Sequence, residues 1–179
     1  MSPLGSVLLV EIPEAEPNVG EARRRWDPVA ELGIPAHVTA LAPFVPAPEL
    51  DHATFVTIAG VAATLHPFAY RFTETRWFDG SVLFLAPDDP APFIRLIEAT
   101  LDAFPDYPRY GGRFEHIHPH LTIGRGDDRT ALRAVEATVR AAGPIVGSAT
   151  FLTLMAEERS GRWSRVGTWA LGTSDRHVP

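Results

Sequence analysis

Ile34-Pro35-Ala36-His37-Val38-Thr39-Ala40-Leu41 is answered further along the chain by Ile117-His118-Pro119-His120-Leu121-Thr122-Ile123-Gly124. Each is a His-x-Thr set in an apolar run shortly after a proline, and an apolar run of this length punctuated by proline reads as a strand. Side chains two apart on a strand share a face, roughly 6 to 7 Å from one another. His37 therefore has the Thr39 hydroxyl beside it and His120 has that of Thr122, while Val38 and Leu121 turn to the other face. Chance alone gives roughly 0.5 His-x-Thr in a chain with this many His and Thr, so the spacing is weak evidence and the matching surroundings carry the weight.

The same order of elements surrounds both copies. Ser6 to Ile12 reads as a strand, and residues from about Asn18, a candidate cap, to Trp26 as a short helix whose Arg23-Arg24-Arg25 run suggests a largely solvated surface. After the His37 to Ala42 strand, Pro43, Pro46 and Pro48 force an extended connection into a helix from Glu49 to Leu65. Phe68 to about Trp77 alternates as a half-buried strand. Val82 to Ala86 then starts again as a strand, followed by a helix from about Pro90 to Ala103, a loop from Tyr107 to Glu115 carrying Gly111-Gly112, and the His120 to Gly124 strand. Asp127 or Asp128 can cap a helix from Arg129 to Ala141 that stops at Gly143-Pro144. Ala149 to Ala156 and Trp163 to Leu171 read as a hairpin around Ser160-Gly161.

Both halves thus run strand, helix, His-x-Thr strand, helix, strand, a duplication of pattern rather than of identity. The expected fold is α+β and bilobal: two lobes related by a pseudo-two-fold axis, each an antiparallel-rich sheet with helices, the His-x-Thr strands facing a central cleft. One domain over residues 1–179 is expected, with lobe halves of about 1–79 and 80–179.

Composition narrows what that cleft can serve. With 45% hydrophobic residues in 179, the chain can bury a real core. Its apolar runs are far too short to span a bilayer and no basic segment leads into a signal-type region, so a cytoplasmic protein is expected. No cysteine is present, which removes disulfides, thiolate nucleophiles and Cys-ligated zinc. The net charge of −6 argues against a surface that grips long nucleic acid, since that affinity comes from many Lys and Arg contacts to phosphate. An RNA terminus or a small nucleotide is the better expectation. Every basic residue other than histidine is arginine, the better bidentate partner for phosphate, although a GC-rich genome gives the same bias. Oligomeric state leaves no trace in the sequence.

Two imidazoles supply a general base and a general acid near neutral pH, and two hydroxyls hold phosphate oxygens without a metal or other cofactor. His37 and His120 are therefore the candidate catalytic pair, which of them is the base being left open. Thr39 and Thr122 are candidate phosphate ligands. Opposite protonation states predict a bell-shaped pH profile with both limbs near neutrality. Arg125, three residues past Thr122, either reaches the phosphate or sits at the strand's exposed end. Trp77, Tyr110 and Trp163 lie where they can stack on a base or close a core. A rival reading takes the alternating His116, His118 and His120, with Glu115 nearby, as zinc ligands, but Pro119 interrupts that ladder and His37-Val38-Thr39 is left without a role. Gly124-x-Gly126 is not a phosphate loop, because no Lys-Ser/Thr follows, and Arg125-Gly126-Asp127 matches an integrin tripeptide by chance. A noncatalytic binder of phosphorylated ligands or RNA ends remains a third reading.

His37-Val38-Thr39 followed by Ala42-Pro43-Phe44, and Pro119-His120-Leu121-Thr122 followed by Gly124-Arg125, resemble the duplicated motifs of the 2H phosphoesterase superfamily, in particular its 2′-5′ RNA ligase-like branch. The resemblance covers nearly the whole chain in order and spacing. It implies a phosphodiesterase acting on a 2′,3′-cyclic phosphate or a 2′-5′ linkage of RNA or a nucleotide, reversible as ligation. It also matches Phe44 to the aromatic residue after the first motif, a substrate-contacting position, with core packing as the other role open to it.

Overall fold

The computed structural model describes residues 4–108, 112, 116–172, 177 and 178. Their order is β1 (Ser6–Glu11), α1 (Glu16–Trp26), α2 (Pro28–Glu31), β2 (His37–Leu41), α3 (His52–Thr64), β3 (Phe68–Phe78), β4 (Val82–Pro87), α4 (Ala91–Ala103), β5 (Leu121–Arg125), α5 (Arg129–Ala141), β6 (Ile145–Ala149), β7 (Phe151–Glu157), β8 (Trp163–Ala170) and β9 (His177–Val178). Two antiparallel sheets form, one in the order β2-β1-β7-β8-β9 and the other β5-β4-β3-β6. The α+β, two-sheet architecture read from the sequence is the one observed.

Local chemistry explains the helix starts. The Asp51 carboxylate accepts from the Thr54 N–H at 2.8 Å ahead of α3, and Asp128 accepts from the Ala131 N–H at 3.0 Å ahead of α5, each N-cap being worth about 1 kcal/mol. Asn18, in contrast, caps nothing. A 3-10 turn at Pro13–Ala15 runs straight into α1, with Pro17 in the first turn where no N–H is needed, so Asn18 lies inside the helix.

A large apolar core draws on both sheets. Leu8, Val10, Val38 and Leu41 from the first sheet and Leu83, Leu85, Leu121 and Ile123 from the second all join it, with Val19 of α1, Phe93 and Leu96 of α4 and Val139 of α5. The helices exchange partners across the duplication: α1 packs on β5 and α4 on β2, while β2 and β5, the edge strands, lie against each other. The pseudo-two-fold relation reaches down to one irregularity. Leu8 pairs with Leu41 and Leu9 with Thr39, passing over Ala40; Leu83 pairs with Gly124 and Phe84 with Thr122, passing over Ile123. A bulge therefore stands three residues past each histidine.

The lobes do not divide near residue 79 as expected. Residues 79 and 80 form the tip of the β3–β4 hairpin inside the second sheet, where Asp79 (φ 47°) and Gly80 (φ 68°) take the left-handed backbone that such tips demand. The strand closing the first half, β3, joins the second sheet, and β7 to β9 from the chain's end complete the first. The apolar run Ala149 to Ala156 accounts only for β7, and β6 escapes a reading by pattern because Gly147 interrupts it. A Cβ at Gly147 would sit 2.5 Å from the Tyr70 hydroxyl and 2.7 Å from the Glu14 carboxyl carbon, so the glycine leaves room for the hydrogen bond between those two side chains across the strand.

Candidate active site

Each motif lies on an edge strand, with its polar residues off the core face. In β2, Val38 and Ala40 are 1% exposed while His37 and Thr39 are half-buried; in β5, Leu121 and Ile123 are fully buried while His120, just ahead of the strand, and Thr122 are half-buried. Alternation supplies this arrangement from sequence alone. The two rings are anchored alike. His37 Nδ1 lies 2.7 Å from the Pro35 carbonyl oxygen and His120 Nδ1 lies 2.7 Å from the His118 carbonyl oxygen. A carbonyl only accepts, so Nδ1 donates in both and each neutral ring carries its lone pair on Nε2.

The electrostatics of His37 are one-sided. Burial, the largest cause, lowers its pKa to about 4, and Arg23 and His120 push the same way against the Pro35 carbonyl and Asp27. His37 is thus neutral at pH 7, and its coupling to His120 means that the two rings sense each other. Among the described residues the Thr39 and Thr122 hydroxyls have no hydrogen-bond partner, which leaves them available to a ligand.

Arg125 stands on the Thr122 side because of the bulge. Strict alternation puts residues 122 and 125 on opposite faces, but Ile123 and Gly124 both turn inward, Gly124 toward Trp26 and Leu132, so the next side chain out is Arg125. Its guanidinium reaches Asp27 at 3.4 Å with 49% of the side chain exposed. Asp27, fully buried, pairs at 2.9 Å with Arg23, itself 2% exposed. Sequence reasoning misses this cluster: the Arg23-Arg24-Arg25 run reads as a solvated face, and only the Arg23, Asp27 spacing of four residues hints at a pair.

Other expectations are corrected. Phe44 is 3% exposed and packs edge-on to Phe104, ring centroids 4.8 Å apart, so of its two roles the core holds it. Trp77 lies beneath the Arg133 guanidinium at 4.7 Å and against the core, and Trp163 packs on the apolar cluster of Val7, Leu9, Ile34 and Met155. Tyr110, Gly111 and Glu115 lie outside the described residues. Among the described residues no three His, Cys, Asp or Glu side chains converge to hold a metal ion, His116, His118 and His120 included. His120 turns instead to Phe78 and Phe84, with centroids 4.9 and 5.5 Å away.

Residues 11–161 match the model of the 2′-5′ RNA ligase superfamily. The chain belongs to that superfamily. Among solved structures, this member of the 2′-5′ RNA ligase superfamily is similar to TT0787 of Thermus thermophilus (TM-score 0.64, 19% identity, 96% of this chain and 100% of that one). It is likewise similar to E. coli LigT complexed with 3′-AMP (TM-score 0.57, 17% identity, 96% and 100% covered). LigT complexed with ATP matches with a TM-score of 0.57 at 19% identity over the same shares. At these identities the likeness is one of fold, and both partners are spanned in full. No curated protein matches the sequence significantly. No described helix is long and apolar enough to cross a membrane.

Proposed function

We propose that this superfamily member opens a 2′,3′-cyclic phosphate at an RNA terminus or on a small nucleotide, with His37 as general base and His120 as general acid and with no metal taking part. The matched anchoring of two imidazoles beside a neutral His37 carries the reading. His37 Nε2 takes a proton from water as the water oxygen bonds to phosphorus. The bond from phosphorus to one ribose oxygen breaks, and the His120 imidazolium returns a proton to that oxygen. Thr39 and Thr122 donate to the non-bridging oxygens as charge builds on them, and Arg125 adds a positive charge on the same side. With the 5′-hydroxyl of a second strand in place of water, the same two proton transfers bond that oxygen to phosphorus as the ribose oxygen leaves and so join two ends, in keeping with the superfamily's name. That LigT structures carry 3′-AMP and ATP supports a small nucleotide as ligand.

EDTA-treated protein is to be assayed on a 2′,3′-cyclic mononucleotide. Turnover is expected to persist and to fall on the order of 10²-fold or more in His37→Ala and in His120→Ala, with the double variant losing less than the product of the two. Binding of 3′-AMP without turnover supports the noncatalytic binder instead, and loss of activity on chelation supports metal chemistry.

A further inference from the structure

Phe151 opens β7 and is 49% exposed, although β7 lies inside the first sheet between β1 and β8. The other large apolar side chains left open among the described residues, Leu32, Val56 and Val146, are aliphatic. Strand pairing fixes the face that Phe151 occupies. Glu11 pairs with His37 and Leu9 with Thr39 across β1 and β2, and Leu9 pairs with Thr153 across β1 and β7. Paired residues share a face, and so do residues two apart on one strand. Phe151 therefore stands on the face of His37, Thr39 and Glu11, while the fully buried Leu152 turns to the core. Two strand spacings, roughly 10 Å, separate it from His37. The comparable place on the second sheet is held by Glu74, which pairs with Ala86, two residues beyond the Phe84 that faces Thr122. Of the two walls beside the histidines, one thus carries a phenyl ring and the other a carboxylate.

A phenyl ring left open on an inner strand keeps apolar surface in water until something covers it, and a nucleobase presents a π face suited to do so. In a nucleoside 2′,3′-cyclic phosphate the base hangs from C1′, next to the C2′ that carries a phosphate oxygen. A phosphate at the His37 imidazole therefore leaves its base within reach of the Phe151 ring. Resting on the two-histidine reading above, we propose that Phe151 is the base-binding residue of the site, the base of the nucleotide whose cyclic phosphate is opened stacking on its ring. The carboxylate along this path is already neutralised. Arg165 of β8 crosses β7 and donates from Nε and one terminal nitrogen to the two oxygens of Glu11, at 3.1 and 2.8 Å, so that Glu11 offers little repulsion to a phosphate beside His37. Stacking uses a face that every base has, so the site takes any of the bases and favours purines for their larger area. Because the base is held alike before and during the reaction, Phe151 serves affinity rather than the chemical step.

The test compares adenosine 2′,3′-cyclic phosphate with methyl riboside 2′,3′-cyclic phosphate, which lacks a base, in wild type, Phe151→Leu and Phe151→Trp of the full chain. Phe151→Leu keeps an apolar side chain at an exposed position and removes only the π face. It is expected to raise KM for the adenosine substrate about 5-fold or more with kcat unchanged, and to leave KM for the base-free substrate as in wild type. The preference for adenosine over uridine 2′,3′-cyclic phosphate should disappear with it, and Phe151→Trp should restore both affinity and preference. An unchanged KM for the adenosine substrate in Phe151→Leu, or an equal rise for the base-free one, overturns the inference. Calorimetric binding of 3′-AMP and of inorganic phosphate separates this inference from the function it rests on. A wild type that turns over neither substrate refutes the proposed function. Loss of 3′-AMP affinity in Phe151→Leu with phosphate affinity unchanged still upholds the base site, and 3′-AMP bound equally by wild type and variant overturns it.

Discussion

Ala40 of β2 and Ile123 of β5 occupy the same place twice: each lies three residues past its histidine, and each is passed over in the pairing with the neighbouring strand. The shared irregularity bends both edge strands at the same depth and re-aims the side chains beyond it. On β5 it turns Arg125 to the Thr122 side; on β2 the matching residue is Ala42, which joins the apolar cluster of Val7 and Leu9.

The bulge on β5 is supported by close packing, and this gives a stability prediction. A Cβ on Gly124 would lie 2.6 Å from the Trp26 Cβ and 3.1 Å from Leu132 Cδ2. Gly124→Ala is expected to destabilise by about 1–3 kcal/mol, because a helix backbone and a core leucine must move to admit the methyl. Urea unfolding measures this, and an unchanged midpoint would show that α1 does not hold β5 as described.

His37 sets a pH dependence whose sign is fixed. Its folded pKa is lowered from 6.5 to about 4, so between these values the unfolded chain binds a proton that the folded chain refuses. The stability from neutral His37 is present above pH 6.5 and is lost as pH falls toward 4. Melting temperatures of wild type and His37→Asn are expected to converge over that window; parallel curves would refute the buried neutral state. For the same reason the acidic limb of kcat/KM is expected nearer pH 4 than at the neutrality anticipated from an ordinary histidine.

Thr39 and Thr122 separate activity from stability. Their hydroxyls bond to no described residue, so Thr39→Val and Thr122→Val should change unfolding free energy by only about 0.5 kcal/mol. Turnover should nevertheless fall, though less than in either His→Ala variant, because each hydroxyl is one of several contacts to the phosphate oxygens. Denaturation and steady-state rates on the same preparations check both halves. A valine variant with full activity removes that threonine from the site.

Asp27 should behave in the opposite way. It is fully buried between Arg23 and Arg125, and removing its charge leaves the buried Arg23 guanidinium with only the partly exposed Glu16 carboxylate, 3.9 Å away, as a counter-charge. Asp27→Asn is expected to cost roughly 3–5 kcal/mol in denaturant unfolding. The exposed Arg76–Glu74 pair is a control, expected to matter by less than about 1 kcal/mol when Glu74 is changed to Gln.

Most elements, their repeated order and the polar face of each motif strand are legible in the sequence, because a two-residue period and capping residues are local facts that survive without the rest of the chain. His37 with Thr39 and His120 with Thr122 stand out for that reason. Which sheet each strand joins is a matter of long-range packing, so β3 crosses to the second half and the expected boundary near residue 79 becomes a hairpin tip. Packing also places Phe44 in the core, buries one arginine of three against Asp27, and through a bulge turns Arg125 toward Thr122. Above all it sets the environments of the two histidines apart: His37 is desolvated to neutrality, whereas His120 rests on two phenyl rings. Those contacts join residues distant in the chain, and desolvation depends on what the whole fold brings against a ring rather than on its neighbours in sequence.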